Sequence, residues 1–380
     1  MSKDHKQRRD FIGKLTLGLT SMFALPLMGN TKNESKKENM VTKTPIKSIK
    51  PLGFQWETAD PFLFCVHHED KFPSGNENMG PNASLEGRHL GQDFILKDGW
   101  RMYHGKEVPG FPGHPHRGFE TITVVRKGMV DHADSLGQSG RYGNGDVQWM
   151  TAGSGVQHSE MFPLLHKDKE NPAELFQIWL NLPKKDKMTD PHFKMLWNDT
   201  IPIIKTKDTS GKETEIEIIT GNLEGKTAPT PPPGSWAADT NNDVAILNIQ
   251  MEAGATYSLN KTVATTNRTV YFYEGNNLVI DGKNIPDYHA VEVEPDIDLV
   301  LTNDSKEKIK ILILQGKPIN EPVVQHGPFV MNTKEEIQEA FNDYHRTQFG
   351  GWPWPKYDQV HDRNLGRFAK HADGRYEDKG

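Results

Sequence analysis

The chain has 380 residues, of which 35% are hydrophobic and 25% charged, so it is long enough for two domains and can build a core, which excludes disorder throughout. Its net charge of −6 gives no indication of a nucleic-acid-binding surface. The single cysteine, Cys65, excludes an intrachain disulfide framework and a cysteine-rich zinc site.

The first residues of the chain have the pattern of an export signal. Arg8 and Arg9 are followed by Phe11, and a mostly apolar run extends over residues 15–28. As a helix that run reaches about 21 Å, which is too short for the roughly 30 Å hydrocarbon core of a membrane. A basic leader before a short apolar stretch is typical of a signal peptide, and the paired arginines resemble a twin-arginine signal. We therefore expect residues 1–30 to direct export, to the periplasm, and the mature form to have no membrane span.

Two strand-rich blocks follow a polar linker. Residues 31–50 are rich in Lys, Glu, Asn and Thr and predict a flexible linker. Residues 51–195 and 196–318 both contain short runs of β-branched and aromatic residues separated by Gly and Pro, as strands do. The clearest runs are residues 119–125, 147–150, 175–180, 244–250 and 309–314. Two consecutive all-β blocks of similar size predict tandem β-barrels or sandwiches.

One helix is predicted near the C-terminus, within residues 319–350. Thr333 and Glu336 have the spacing of a capping box. Apolar residues then recur at helical spacing, at Ile337, Ala340, Phe341 and Tyr344. The Pro-, aromatic- and charge-rich residues 351–380 predict an extended tail on the surface.

Two short motifs carry the chemistry. In His114-Pro-His116 and His158-Ser-Glu160, residues two apart point to the same side of a strand. Two neighbouring strands of a barrel would therefore bring three imidazoles and one carboxylate together. Imidazole with carboxylate suits Fe(II), Mn(II), Ni(II), Cu(II) or catalytic zinc, and four protein ligands leave two positions open on a six-coordinate ion.

The spacing leaves alternatives open at the neighbouring residues. Glu120 has the same parity as His114 and His116 on a regular strand, so it is a rival ligand to Glu160 or a group that orients an imidazole. Arg117 is either a pocket cation for an anionic substrate or part of a structural salt bridge. A lone His-x-His is common on surfaces, so the metal site depends on both motifs together.

Longer stretches around these motifs resemble the pirin family of the cupin superfamily. They are residues 114–121, 145–153, 155–161 and 325–333, and the resemblance extends over roughly residues 51–350. It implies a bicupin, that is, two stacked double-stranded β-helix barrels, with iron in the N-terminal barrel (residues 51–195) and a metal-free barrel at residues 196–318. It also implies His114, His116, His158 and Glu160 as the metal ligands, which leaves Glu120 an orienting role.

The chain also departs from the shortest members of that family. The segment 64–104 is longer and brings in four histidines: His67, His68, His89 and His104. Each one alone is typical of a surface or loop, and together they are candidates for a lid or rim of the site.

The resemblance implies a metal-dependent dioxygenase that acts on a flavonol such as quercetin with dioxygen. Fe(II) is the metal implied first, with Mn, Ni, Cu or Zn as alternatives, and Glu160 would serve as base as well as ligand. Two other functions stay open: a non-catalytic, redox-sensing iron-binding module, and a metal-bound isomerase or sugar-binding cupin. The expected partners are a small aromatic or polar organic substrate and dioxygen, whereas a redox-sensing module would instead act on a transcription factor or a metabolic enzyme.

Overall fold

The structure is a computed structural model that describes residues 44–380. The predicted signal peptide and residues 31–43 of the predicted linker lie outside these described residues and stay predictions. Within residues 44–380 there is no helix that is long and apolar enough to cross a membrane.

Strands make up most of the described chain. The first is β1 (Ile46–Pro51), in the segment predicted as a linker. Ten strands of the first barrel follow: β2 (Gln55–Trp56), β3 (Phe62–Phe72), β4 (Gly110–His116), β5 (Phe119–Lys127), β6 (Met129–Asp134), β7 (Ser139–Gly143), β8 (Val147–Thr151), β9 (Val156–Met161), β10 (Asn171–Asn181) and β11 (His192–Leu196).

Twelve further strands follow after residue 200. These strands, including the small hairpin β14–β15, are β12 (Ile203–Lys207), β13 (Glu213–Thr220), β14 (Asn222–Leu223), β15 (Lys226–Thr227), β16 (Ala245–Met251), β17 (Thr256–Leu259), β18 (Asn267–Glu274), β19 (Leu278–Ile280), β20 (Lys283–Ile285), β21 (His289–Val293), β22 (Leu299–Asn303) and β23 (Ile309–Gly316). The remaining elements are β24 (Val324–His326), β25 (Phe329–Met331), helix α1 (Lys334–Thr347), β26 (Phe368–Lys370) and β27 (Tyr376–Asp378).

Each barrel consists of two antiparallel sheets. The first has the orders β11-β8-β5-β10-β3-β2 and β27-β26-β7-β6-β9-β4, and the second has β1-β21-β18-β23-β16-β13-β12 and β17-β22-β19-β20. Strand β1 thus belongs to the second barrel, where Ile46 and Ile49 pack against the apolar core. This architecture confirms the predicted all-β tandem fold, with one helix in the described residues near the C-terminus.

The sheet containing β5 and β10 is covered on both faces. Ile122 and Val124 point into the apolar layer between the barrels, which includes Tyr271 and Leu312 of the second barrel. Thr123, with the opposite parity, points into the first barrel. Residues 119–125 are all buried as a result, and they include the polar Glu120, Thr121 and Thr123. Cys65 lies in the apolar layer between the barrels as a buried free thiol.

The C-terminal segments pack against the first barrel. The hydroxyl of Thr333 accepts a hydrogen bond from the Glu336 backbone, and the Glu336 carboxylate accepts from the Thr333 backbone, which confirms the capping box. In the segment predicted as an extended tail, β26 adds to β7 and buries Phe368, so part of the tail is sheet.

Candidate metal centre

Strands β4 and β9 lie side by side and bring the three histidines together. His114 is directly opposite His158 in the antiparallel register. The ring centroid of His158 lies 4.5 Å from that of His114 and 5.0 Å from that of His116. One ligand nitrogen from each ring lies within 4.8 Å of the others. The alternation of side chains along the two strands therefore produces the predicted convergence.

The hydrogen bonds of the three imidazoles leave ring nitrogens available to coordinate a metal ion. Nδ1 of His114 donates to the Pro112 carbonyl at 2.9 Å, and Nδ1 of His116 lies 3.4 Å from the Pro328 carbonyl. A carbonyl only accepts, so Nδ1 carries the proton and Nε2 is free to coordinate. Both ring nitrogens of His158 are buried without a hydrogen-bond partner among the described residues. Such orphaned polar atoms are costly unless a ligand such as a metal ion occupies the site.

The histidines are held in the neutral form that coordinates metals. Burial lowers the pKa of His114 to about 4, and it lowers the pKa values of His116 and His158 well below the usual range. Three neutral imidazoles with converging nitrogens fit a cupin-type metal site.

Glu160 lies beside the three imidazoles. Its Oε2 is 3.8 Å from Nε2 of His158. The carboxylate accepts hydrogen bonds from Thr123 Oγ1 and Gln177 Nε2, each at 2.8 Å, and burial raises its pKa. One carboxylate oxygen of Glu160 thus lies beside the three histidines, and hydrogen bonds orient both of its oxygens. The role of Glu160 as a fourth metal ligand stays a prediction.

Glu120 lies in a different environment from the one that its parity predicts. Strand β4 ends at His116 and β5 begins at Phe119, with Gly118 between them at φ +85°, so the alternation does not continue from one strand to the other. Glu120 accepts from Thr151 at 2.7 Å and from Ser235 of the second barrel at 2.5 Å. Neither the rival-ligand position nor a hydrogen bond that orients an imidazole is found for Glu120 in the described residues.

Arg117 forms a structural salt bridge and does not line the cavity. Its Nη1 donates to Asp343 of α1 at 3.0 Å, and its Nε donates to the Ser154 carbonyl at 2.7 Å. The guanidinium also covers the ring of Phe349 at 4.6 Å. Of the two alternatives for this residue, the geometry matches the salt bridge.

A cavity of about 650 Å³ opens onto the metal-binding residues. Aromatic side chains dominate its wall: Phe54, Phe64, Phe94, Phe111, Phe162 and Trp179. His114, His116 and Glu160 also line it. An aromatic cavity with a few converging polar groups is suited to a planar organic ligand.

The four histidines of the longer segment separate into different places. His67 and His68 have opposite parity on β3, so His67 stacks on Phe176 at 4.6 Å in the layer between the barrels while His68 lines the cavity. His104 is exposed and also lines the cavity, whereas His89 is exposed and does not. The predicted rim thus contains two of the four histidines.

Sequence reasoning missed most of the cavity wall. Gln177 and Trp179 come from β10, which carries neither metal motif, and Thr123 comes from β5, the strand that follows the first motif. One signal was present: Gln177 is a polar residue inside the apolar run 175–180, which is unusual in a buried strand unless its amide has a partner.

Comparisons with known proteins match most of the described chain to one family. The family model "Pirin" matches residues 48–180, and "Pirin C-terminal cupin domain" matches residues 246–350. A pirin-like protein of Solanum lycopersicum is 36% identical over 253 residues, covering 66% of this chain and 79% of the plant protein. Pirin of Rattus norvegicus is 33% identical over 261 residues, covering 68% of this chain and 82% of the rat protein.

Among solved structures, quercetin 2,3-dioxygenase from Acinetobacter baumannii is similar to this chain. The TM-score is 0.61 and the sequence identity 27%, with 81% of this chain and 96% of the bacterial enzyme covered. The likeness therefore extends over most of both chains.

Proposed function

Since this chain belongs to the pirin family, we propose that it is a metal-dependent dioxygenase that opens the ring of a flavonol-like aromatic substrate. The observation that carries the proposal is the convergence of three neutral imidazoles, two of which, His114 and His116, line an aromatic cavity of about 650 Å³. Similarity to a solved quercetin 2,3-dioxygenase supports the substrate class.

His114, His116 and His158 would hold the metal, for which we propose Fe(II), and Glu160 would complete the ligand set. When bound, such an ion supplies Lewis-acid and one-electron chemistry toward an ionised hydroxyl and dioxygen. Manganese, nickel, copper and zinc compete for the same donors, so the metal recovered with the protein depends on its availability.

The chain's own residues would orient the substrate and move one proton. Trp179 and Phe111 provide flat faces for an aromatic ring, and the apolar wall excludes water from it. Glu160, with its oxygens oriented by Thr123 and Gln177, is placed to accept the proton of the hydroxyl that approaches the histidines.

The test is oxygen consumption by the iron-loaded chain with quercetin. We expect His158→Ala to lose turnover by more than about 100-fold together with its metal, because even groups that only orient a metal ligand cost about 10- to 100-fold when removed. His89→Ala, an exposed histidine of the same barrel outside the cavity, is the matched control and should keep full activity. Iron-loaded wild-type protein that consumes no oxygen with quercetin or other flavonols would refute the proposal.

A further inference from the structure

One wall of the cavity carries a buried histidine that the proposed reaction does not use. The residue is His68 on β3, which is 5% exposed and lines the cavity together with His114. Its Nδ1 has a protein partner, and its Nε2 has no hydrogen bond to any residue in 44–380.

A chain of buried hydrogen bonds determines which nitrogen of His68 is protonated. Nδ1 of His68 lies 2.9 Å from the Tyr103 hydroxyl, which donates to Oδ2 of Asp70 at 2.5 Å. The other oxygen of Asp70 accepts from Arg101 at 3.2 Å. Burial raises the pKa of Asp70 to about 6. Because this value is still below neutral pH, the group is a carboxylate there and only accepts hydrogen bonds.

The polarity of this chain then follows step by step. Burial raises the pKa of Tyr103 well above its usual range, so the phenol keeps its proton and gives it to Asp70. The Tyr103 oxygen therefore accepts from His68, and Nδ1 carries a proton. Because burial lowers the pKa of His68 to about 3, the ring holds one proton only, and Nε2 is left as a bare acceptor.

We propose that Nε2 of His68 accepts a hydrogen bond from a phenolic hydroxyl of the aromatic ligand and so selects hydroxylated substrates. The identity of that ligand as a flavonol rests on the proposed function. Phe111 links the two ends of the site, since its ring centroid lies 5.9 Å from that of His68 and 6.4 Å from that of His114. A planar ligand over Phe111 would thus reach the metal residues with one oxygen and His68 with another.

Tyr103 and Asp70 are positioning residues in this scheme. Tyr103 belongs to the segment 64–104, so this segment contributes the group that fixes the acceptor. Replacing Tyr103 by Phe would remove the acceptor of the Nδ1 proton, so the proton of His68 would no longer be fixed on Nδ1.

The first test reads the tautomer directly. In the full chain loaded with diamagnetic zinc and labelled with nitrogen-15 histidine, we expect a protonated Nδ1 and an unprotonated Nε2 for His68, assigned by comparison with His68→Asn. Saturating phenol should shift the Nε2 signal upfield, anisole should not, and Tyr103→Phe should change the tautomer. A protonated Nε2, or one that phenol leaves unmoved, would overturn the inference.

The second test measures selectivity. Quercetin and 3-hydroxyflavone share the hydroxyl proposed to face the metal, and only quercetin has further hydroxyls. We expect His68→Asn, which keeps a partner for Tyr103, to weaken quercetin binding about 10-fold and leave 3-hydroxyflavone binding unchanged. The control His289→Asn, in the second barrel, should change neither affinity.

The two proposals fail in different ways. If no flavonol is turned over while phenol still shifts the His68 signal, the dioxygenase proposal fails and the acceptor site stands. If quercetin is turned over and His68→Asn leaves both affinities unchanged, the acceptor site alone is refuted. Should His68→Asn not fold, Tyr103→Phe provides the same comparison.

Discussion

Glu120 is a fully buried carboxyl group that joins the two barrels through Ser235. Burial raises its pKa from 4.5 to about 7, and the hydrogen bonds from Ser235 and Thr151 oppose that rise. A group whose pKa is raised on folding contributes stability that is fully present below its unfolded pKa and is lost as the pH rises through the folded value. The cost of ionising Glu120 is therefore largest above about pH 7.

We predict that Glu120→Gln becomes more stable relative to the wild type as the pH rises from about 5 to about 8. The gain in the free energy of unfolding should reach about 3 kcal/mol at most, since one pKa unit corresponds to about 1.4 kcal/mol. Urea unfolding at several pH values measures it, with the exposed Glu339→Gln as control. The variant should keep its metal, and complete metal loss would return Glu120 to the ligand set.

At the scale of elements, the metal site depends on what holds the end of edge strand β4. The Val330 backbone donates to the Arg117 carbonyl at 3.0 Å, and the buried ammonium of Lys187 donates to the carbonyls of Gly118 at 2.8 Å and Val330 at 3.2 Å. A Cβ on Gly118 would lie 2.0 Å from the Val330 oxygen. The turn after His116 is thus closed against β25, which lies in the stretch 325–333.

Gly118→Ala is expected to weaken both the fold and the metal site. The matched control is Gly137→Ala in the turn between β6 and β7. Its φ of +79° is close to the +85° of Gly118, but nothing lies within 4 Å of the new Cβ. The control should cost only the roughly 1–2 kcal/mol of a non-glycine residue in that region. We expect Gly118→Ala to cost more and to lower zinc affinity, as measured by unfolding and competitive metal titration. Equal effects of the two variants would contradict this account.

The same turn shows how far the sequence could predict the site. Alternation within one strand placed His114 with His116 and His158 with Glu160, because that rule is local. Extending the rule to Glu120 failed, since it crosses a turn at Gly118 into a strand of the other sheet. Gln177 and Trp179 reach the cavity through pairing between distant strands, which spacing in the sequence does not encode.

At the scale of the whole molecule, residues 351–380 close the outer edge of the first barrel. Arg141, fully buried, pairs with Asp131 through two bonds of 2.6 and 2.7 Å and donates to backbone carbonyls of the tail, including that of Asp362. Closer to the metal site, the Gly113 backbone donates to the Tyr357 carbonyl at 2.8 Å. The tail therefore supports β4 from the side opposite its partner β9.

Two tail tyrosines allow this support to be tested without removing the tail. Tyr357 lies beside Gly113, is 54% exposed and stacks on Trp352, with the ring centroids 5.3 Å apart. Tyr376 of β27 is 53% exposed and stacks on Phe368 of β26, with the ring centroids 5.6 Å apart. Each substitution by Ala removes one aromatic pair, worth about 0.5–1.5 kcal/mol, but only Tyr357 lies next to the strand that carries His114 and His116.

We predict that Tyr357→Ala speeds hydrogen exchange of the Gly113 amide and weakens zinc binding about 3- to 10-fold, the change that the loss of one such pair allows. Tyr376→Ala should leave both quantities unchanged, because four strands, β26, β7, β6 and β9, separate β27 from β4 in the sheet order. Hydrogen-exchange mass spectrometry and competitive zinc titration make the comparison. If both variants lower zinc affinity equally, the tail stabilises the barrel as a whole, and a specific support of the metal strand is excluded.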